Sequence, residues 1–134
     1  MKPVTMAEEK TVRDILQQLL SNAYAPYSQF RVAAAVVDDK GKTHYGVNVE
    51  NQSLPVGVCA EAGAITALHV AGGERIKKLY LLSEPNIEVV PCGACRQRLA
   101  EFGDGDMQIV TFAKTGDPVV YSLDELFPHS FRFK

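Results

Sequence analysis

The order of helix and strand patterns along the chain predicts an α/β fold, a three-layer α/β/α sandwich around one mixed five-stranded sheet. Apolar residues recur at helical spacing near the start, and short apolar runs bounded by turn residues follow. The resulting order is α-β-β-α-β-α-β-β. Helical connections between strands put helices on both faces of the sheet, with the first two strands antiparallel and the middle ones parallel.

The first half of the chain predicts a helix, a hairpin and a second helix. Residues 6–22 carry apolar side chains at three- and four-residue steps, after a T-x-x-E capping-box pattern that begins at Thr5. The hairpin strands are an apolar run over 31–37 and a β-prone run over 43–49, joined by turn-forming residues. An alanine-rich helix over 60–71 ends at consecutive glycines.

The second half predicts three more strands, a third helix and a final helical turn. Residues 76–82 have the composition of a buried strand. Pro91, whose fixed φ suits the start of a helix, precedes a predicted helix over 92–102. Strands over 107–112 and 118–121 follow, joined by a turn. The last strand begins with a proline, which indicates either an edge strand or the first paired residue of a strand. An S-x-x-E pattern then opens the helical turn.

Composition limits the classes of function. The 134 residues predict a single domain over 1–134, and 46% hydrophobic with 22% charged residues is typical of a soluble globular protein. A net charge of −2 provides no basic surface, so we expect no nucleic-acid partner. We find no signal-peptide pattern and no apolar run of the roughly 18 residues that a membrane span needs. These features predict a cytoplasmic protein without a membrane partner.

The three cysteines predict a zinc site. An odd number that includes a C-x-x-C pair favours metal binding over disulfides. Cys92 and Cys95 are three residues apart at a predicted helix start, so their thiolates point the same way. Cys59 supplies a third thiolate from another part of the chain. A Cys₃ set leaves the fourth tetrahedral position of Zn²⁺ open, as catalytic zinc requires.

Glu61 is the candidate catalytic carboxylate. In the middle of a helix, residues two apart point to nearly opposite faces, so Glu61 and Cys59 can face one metal only if Cys59 caps its helix. A carboxylate beside zinc suits metal-assisted hydrolytic chemistry. Taken alone, Cys92 and Cys95 would also fit half of a structural zinc site or a redox pair. No fourth cysteine is present for the former, and Glu61 has no role in either.

Several motifs together resemble the small, zinc-dependent, homotetrameric cytidine deaminases. The resemblance extends almost from end to end, and its five segments occur in the family's order and spacing. These segments are residues 24–30 (YAPYSQF), 48–51 (NVEN), 59–61 (CAE), 91–97 (PCGACRQ) and 126–131 (LFPHSF).

The resemblance implies hydrolytic deamination of cytidine and deoxycytidine, a step of pyrimidine salvage. It places one Zn²⁺ per chain on Cys59, Cys92 and Cys95, where the metal activates water. Glu61 is then expected to take the proton of that water, pass it to N3 of the cytosine ring and help to expel ammonia.

The same resemblance implies the contacts to a nucleoside substrate. Asn48 and Glu50 correspond to residues that bind the ribose 3′-hydroxyl, which would select a nucleoside over a free base. Phe30 corresponds to an aromatic side chain on the pyrimidine ring. The Ala60 backbone and the Pro91 carbonyl correspond to contacts with the polar edge of the base. By pattern alone, Asn48 and Glu50 would be polar residues at a strand end and Phe30 a core residue.

Phe131 corresponds to a tail aromatic that reaches the site of a neighbouring subunit, which implies a homotetramer. The sequence departs from the family at two positions. Ala62 stands where many members carry an arginine that donates to a metal-bound thiolate, and Arg96 is a candidate replacement. Leu54 stands where many members carry tyrosine.

Alternative functions remain at this point. One is deamination of a modified cytosine nucleoside, such as an aminoacylated antibiotic of the blasticidin type, although Glu50 argues against it. Another is a non-catalytic zinc- or nucleoside-binding module, which Ala62 favours and Glu61 disfavours. Editing of cytosine in a polynucleotide fits poorly with a net charge of −2 and a closed tetrameric site. The histidines, His44, His69 and His129, are expected to pack or lie on the surface rather than bind metal.

Overall fold

The structure is a computed structural model that describes residues 6–84, 87–112 and 117–133. It contains the predicted five-stranded sheet, in the order β2-β1-β3-β4-β5. The strands are β1 (Arg31–Asp38), β2 (Thr43–Val47), β3 (Ile76–Glu84), β4 (Gly103–Phe112) and β5 (Val119–Ser122). The α-helices are α1 (Met6–Leu19), α2 (Ala60–Val70), α3 (Gly93–Phe102) and α4 (Leu123–Leu126). None of the helices in this described part combines the length and apolar character that a membrane crossing requires.

The sheet is mixed, as predicted. Strand β1 pairs antiparallel with both β2 and β3, β3 pairs parallel with β4, and β4 pairs antiparallel with β5. The predicted parallel part is the β3–β4 pair, the single parallel pair among the five described strands. Strand β5 lies at the edge of the sheet, where its preceding proline needs no ladder hydrogen bond.

The two faces of the sheet carry separate apolar clusters, which confirms the three-layer prediction. Alternate side chains of β3 point to opposite faces. Tyr80 packs with Leu16 and Leu20, which α1 and the 3₁₀ turn after it supply. Leu79 and Leu81 pack on the opposite face with residues of the other three helices. From α2, α3 and α4, these include Ala64, Leu68, Leu99 and Leu123.

Helix α2 lies directly against β2 because Gly46 has no side chain. A Cβ atom built at Gly46 would lie 2.3 Å from both the Ala60 carbonyl oxygen and the Ala64 amide nitrogen. Backbone atoms cannot yield to such a contact without moving the helix. Gly46 therefore sets the height of α2 above the sheet, and with it the position of Cys59 at the start of the helix.

Some element boundaries differ from the prediction. Helix α1 ends at Leu19, and residues 20–22 form a 3₁₀ turn instead of continuing the predicted helix. Strand β2 ends at Val47 rather than at residue 49. Strand β4 begins at Gly103, directly after α3, four residues before the predicted start. The predicted capping residue Thr5 and most of the turn before β5 lie outside the described residues.

Candidate active site

The three cysteines converge at one point. Their Sγ atoms all lie within 4.8 Å of one another, and those of Cys59 and Cys92 are 4.0 Å apart. Across residues 6–84, 87–112 and 117–133, this is the only group of three or more acidic, histidine or cysteine side chains with metal-binding geometry. Cys59 is half-buried, Cys92 exposed and Cys95 fully buried.

Two helix starts position these thiols. Cys59 is the N-cap of α2, with φ −73° and ψ 155°, and Cys92 is the N-cap of α3, with φ −67° and ψ 169°. Both residues therefore have extended backbone immediately before a helix. The sequence-based condition for Glu61 and Cys59 to share a site, that Cys59 lies at the cap, is met. Cys95 follows in the first turn of α3.

The cluster fits Zn²⁺. A tetrahedral zinc ion with Zn–S bonds of about 2.3 Å needs sulfur atoms about 3.8 Å apart. The 4.0 Å between Cys59 and Cys92 is close to that value. Three thiolates leave one of four positions open, as in catalytic sites. The positive ends of the α2 and α3 dipoles, roughly half a charge each, offset part of the thiolate charge.

The thiols are in unequal environments. Desolvation, followed by the charge of Cys92, raises the pKa of Cys59. Desolvation also raises the pKa of the buried Cys95, with further increases from Glu61 and Cys59. Desolvation acts in the same direction on Cys92, but hydrogen bonding with the Cys95 backbone and with the other two thiols lowers its pKa overall. Binding of a cation is the ordinary way to hold three such thiolates together.

Glu61 is buried, with 6% of its surface exposed, in the first turn of α2. Desolvation raises the pKa of its carboxyl group, and the charge of Arg98 acts in the opposite direction. A carboxyl group whose pKa lies above its ordinary value takes up and releases protons more readily near neutral pH. The environment therefore suits a general acid and base beside the metal.

Asn48 and Glu50 lie just past β2 and hold the loop before β1. Asn48 Oδ1 accepts from the Val32 amide at 2.9 Å, and Nδ2 donates to the Phe30 carbonyl at 2.8 Å. Glu50 Oε1 accepts from the amides of Tyr27 and Ser28, and Oε2 accepts from the Ser28 hydroxyl. These bonds, the Ser28 hydroxyl first, lower the pKa of Glu50. Both side chains therefore have structural roles.

A backbone bridge links this segment to the cysteine cluster. The amide of Val49 donates to the Val58 carbonyl at 2.9 Å, and the amide of Val58 donates back at 2.8 Å. Val49 lies between Asn48 and Glu50, and Val58 precedes Cys59. A cavity of about 380 Å³ opens beside this bridge. Its lining residues are Tyr27, Ser28, Glu50, Asn51, Leu54 and Gly57.

The two arginines of α3 have different roles, and the expectation for Arg96 was wrong. Arg96 turns away from the thiols, since its Nε donates to the Pro91 carbonyl at 2.8 Å and its Nη1 to the Leu126 carbonyl at 2.6 Å. Arg98 instead donates from Nη1 to Cys95 Sγ at 3.3 Å. Sequence reasoning missed Arg98, although its i, i+3 spacing from Cys95 places both on one face of α3.

The other candidate residues are placed as follows. Ala60 is buried at the start of α2, and Phe30 is half-buried. The Phe131 ring is 64% exposed, and its carbonyl accepts from Gln97 Nε2 at 3.0 Å. His44 contacts Asp38 at 2.8 Å, and His69 packs on a ring of α3, so neither belongs to the cysteine cluster.

Comparisons with known proteins agree with this site. The family model for the cytidine and deoxycytidylate deaminase zinc-binding region matches residues 6–111. Among similar proteins, a cytidine deaminase of Mycobacterium tuberculosis is 40% identical over 114 residues, covering 81% of this chain and 86% of that protein. A cytidine deaminase of Mycoplasma genitalium is 34% identical over 118 residues, covering 87% of this chain and 90% of that protein.

Solved structures show the same fold. A cytidine deaminase from Burkholderia pseudomallei superposes with a TM-score of 0.83 at 35% identity, over 91% of this chain and 98% of that chain. The cytidine deaminase of Mycobacterium tuberculosis superposes with a TM-score of 0.75 at 34% identity, over 90% of this chain and 98% of that chain. The extent of these matches and the cysteine geometry lead to one conclusion: this chain belongs to the zinc-binding cytidine and deoxycytidylate deaminase family.

Proposed function

We propose that this protein catalyses the zinc-dependent hydrolytic deamination of cytidine and deoxycytidine to uridine and deoxyuridine, with release of ammonia. One observation carries the proposal: the thiols of Cys59, Cys92 and Cys95 converge, and the buried carboxyl group of Glu61 is near enough for its charge to raise the pKa of Cys59 and Cys95. Three thiolates provide a zinc site with one open position, and Glu61 provides an acid and base next to it. The similar proteins are themselves named cytidine deaminases.

The roles of the chain's own groups follow from the chemistry. Zn²⁺ in the site supplies Lewis-acid activation of a water molecule. Glu61 would take a proton from a water molecule and deliver it to N3 of the cytosine ring as the water oxygen bonds to C4. It would then carry the remaining proton of that oxygen to the amino group, so that the C4–N bond breaks, ammonia leaves and C4 becomes the carbonyl carbon of uridine. The raised pKa of Glu61 suits a group that is deprotonated and reprotonated in each turnover.

Asn48 and Glu50 are proposed to bind the ribose 3′-hydroxyl. Asn48 Nδ2 carries two hydrogens, and the Phe30 carbonyl takes one of them. The Glu50 carboxylate offers about four acceptor positions, and Tyr27 and Ser28 supply three donors. Each side chain thus keeps one position for a ligand, a donor on Asn48 and an acceptor on Glu50. A hydroxyl group, which donates and accepts, satisfies both.

The base is proposed to lie between Phe30 and the start of the two site helices. The Phe30 ring would pack on the pyrimidine face, while the Ala60 backbone and the Pro91 carbonyl would contact its polar edge. Arg96 supports this arrangement, because its bond to the Pro91 carbonyl fixes that group's direction. A carbonyl oxygen has two lone pairs, so Pro91 keeps one for the cytosine amino group.

We further propose that the protein is a cytoplasmic homotetramer of pyrimidine salvage, in which Phe131 reaches the site of a neighbouring subunit. Its exposed ring supports this, because it packs edge-on against the exposed ring of Phe133, with 5.2 Å between the ring centroids, and the two form an apolar patch of the kind found at interaction sites. Leu54, Val56 and Val58 add exposed apolar surface near the cavity, with exposures of 76%, 61% and 45%. Contact between subunits would bury these side chains.

A modified cytosine nucleoside is the second candidate substrate. Leu54 favours it, because this apolar side chain lines the cavity beside Glu50 and would accept a larger apolar substituent. Purified, zinc-loaded protein should be tested with cytidine, deoxycytidine, free cytosine and a C5-alkylated cytidine, each of which carries a free 4-amino group, with ammonia as the readout. Rapid release is expected from cytidine and deoxycytidine, and little from cytosine. Release from the C5-alkylated nucleoside alone would favour the second candidate. Absence of ammonia from every compound, at full zinc content, would favour a binding module.

A further inference from the structure

Arg98 is the cation that the fold directs at the cysteine cluster. Its Nη1 atom lies 3.3 Å from Cys95 Sγ, one helical turn earlier on α3. Cys95 is fully buried, so its sulfur has no water to accept from and depends on the protein for donors. Arg98 is otherwise exposed, and the guanidinium group of arginine carries a positive charge in proteins.

The surroundings explain why Arg98 can adopt this position. A cavity of about 370 Å³ lies between α2 and α3, lined by Ala62, Ile65 and Arg98 among others. Ala62 is one residue after Glu61, and its methyl group leaves this space open on the α2 side. The other arginine of this helix, Arg96, is held by two backbone carbonyls. Arg98 is thus the one that α3 presents to the thiols.

The charge of the site gives Arg98 its importance. Three thiolates with Zn²⁺ carry −1, and an ionised Glu61 adds another negative charge in a buried position. Two helix N-termini offset about one charge in total. Arg98 Nη1, 3.3 Å from Cys95 Sγ, brings a positive charge to this cluster. A hydrogen bond from a charged donor to a thiolate is stronger than one from a neutral donor.

We propose that Arg98 is a positioning residue of the metal site, which holds the Cys95 thiolate in its binding orientation and offsets the charge of the thiolate cluster, so that zinc is retained. This rests on the zinc site of the proposed function but not on the deamination step. Residues that orient metal ligands typically change metal affinity by about ten- to a hundredfold when replaced. Loss of Arg98 should therefore speed zinc release by a similar factor.

Zinc release to an excess of a chromophoric chelator tests this directly. Zinc-loaded parent, Arg98→Ala and Arg98→Lys should be compared, with Lys42→Ala as a control that removes one exposed cation from the distant β1–β2 turn. We expect Arg98→Ala to release zinc about ten- to a hundredfold faster than the parent. Arg98→Lys keeps the charge without the planar donor fork, so its rate of zinc release should lie between those of the parent and Arg98→Ala. Lys42→Ala should release zinc at the parent rate.

Cobalt substitution separates a bond to the thiolate from a merely structural role. In the Co²⁺-loaded protein, the thiolate-to-metal charge-transfer band should move to longer wavelength in Arg98→Ala, because a thiolate without a hydrogen bond gives up charge more easily. General loosening of α3 would broaden the band without moving it. Release of zinc at the parent rate, or an unmoved band, would overturn the proposal. Neither readout involves a substrate, so failure of the deaminase assignment would be seen separately.

Discussion

The Sγ atoms of Cys59 and Cys92 lie 4.0 Å apart although 33 positions separate the two residues, because α2 and α3 begin close together on one face of the sheet. Each cysteine is the N-cap of its helix. The same arrangement buries Glu61 and directs two helix dipoles toward the cluster. The position of these two helix starts therefore controls the metal site, the acid–base group and the local electrostatics together.

Replacement of Gly46 by alanine should displace α2. The new Cβ atom would lie 2.3 Å from two backbone atoms of that helix, so the helix must shift. We expect a loss of unfolding free energy of about 1–3 kcal/mol, the usual cost of overpacking, together with weaker zinc binding. Urea denaturation and zinc titration would measure the two effects.

Gly63→Ala is the matched control, since it adds the same methyl group on the other side of the contact. Its Cβ atom would lie 3.5 Å from Gly46 Cα, an ordinary contact. Alanine in place of glycine inside a helix should stabilise the protein by about 0.5–1 kcal/mol. Equal stability of the Gly46→Ala protein and the parent would contradict this account of α2.

Asp38→Asn should reveal a pH-dependent contribution to stability. Asp38 accepts from the amides of Lys40 and Lys42 and contacts His44. Desolvation opposes the charged form, but these bonds, with His44 first, lower the pKa of Asp38 below 3.8 overall. A carboxylate with a lowered folded pKa stabilises the protein above its unfolded pKa, and this contribution disappears as pH falls through the folded value.

The free energy of unfolding of the parent should therefore exceed that of Asp38→Asn by about 1–3 kcal/mol at pH 7. This difference should shrink toward zero below about pH 3.8. Urea denaturation from pH 7 to pH 3 would measure it. Both proteins lose zinc in acid, so the comparison at each pH cancels that loss. Asp14→Asn, at an exposed position of α1, is the control. A difference that grows in acid would contradict the sign.

Glu50→Gln should weaken recognition of the 3′-hydroxyl. The parent is expected to prefer cytidine over 3′-deoxycytidine in kcat/KM, and the variant should lose roughly tenfold or more of that preference. Any general disturbance of the Tyr27–Ser28 loop affects both substrates and cancels in the ratio. Preference between cytidine and 2′-deoxycytidine should not change. An unaltered ratio for the 3′ pair would remove Glu50 from the ribose site.

Phe131→Ala should lower activity without destabilising the protomer, because its ring is 64% exposed. Complementation between subunits gives the sharper result. Phe131→Ala and Glu61→Gln chains, dissociated together and reassembled, should form some sites with an intact Glu61 and a neighbour's intact Phe131. Activity above the sum of the two separate proteins would support a shared site. Activity equal to that sum would show that Phe131 acts within its own chain or not at all.

The sequence predicted most of the fold because its signals are local. Helical spacing, turn residues and cysteine spacing located the helices, the strands and the metal site, and the N-cap position of Cys59 followed from its distance to Glu61. The neighbours of each strand in the sheet were harder to predict, because the antiparallel pairing of β1 with β3 depends on the path of the chain rather than on a local pattern. The end of α1 as a 3₁₀ turn reflects packing of Leu20 in the core.

The direction in which side chains point was the main feature of the candidate site that the sequence could not predict. Arg98 has the i, i+3 spacing that places it on the same helical face as Cys95, but spacing alone does not say whether a long side chain points to the thiols or to solvent. The structure shows that Arg98 donates to Cys95, whereas Arg96 donates to the carbonyl of Leu126, which comes from distant sequence. The structural bonds of Asn48 and Glu50 to the loop before β1 were equally hidden, since their partners depend on the path of that loop.

The most direct test of the central claim is the absorbance of cytidine with zinc-loaded parent and zinc-loaded Glu61→Gln. Glutamine fills the same space beside the cluster but cannot carry the proton. We expect the parent to convert cytidine to uridine, with one zinc per chain in both proteins. The kcat of Glu61→Gln should be lower by at least about a hundredfold, the lower range for a general acid–base group. Equal turnover by the two proteins would contradict the assignment of Glu61 and the mechanism built on it.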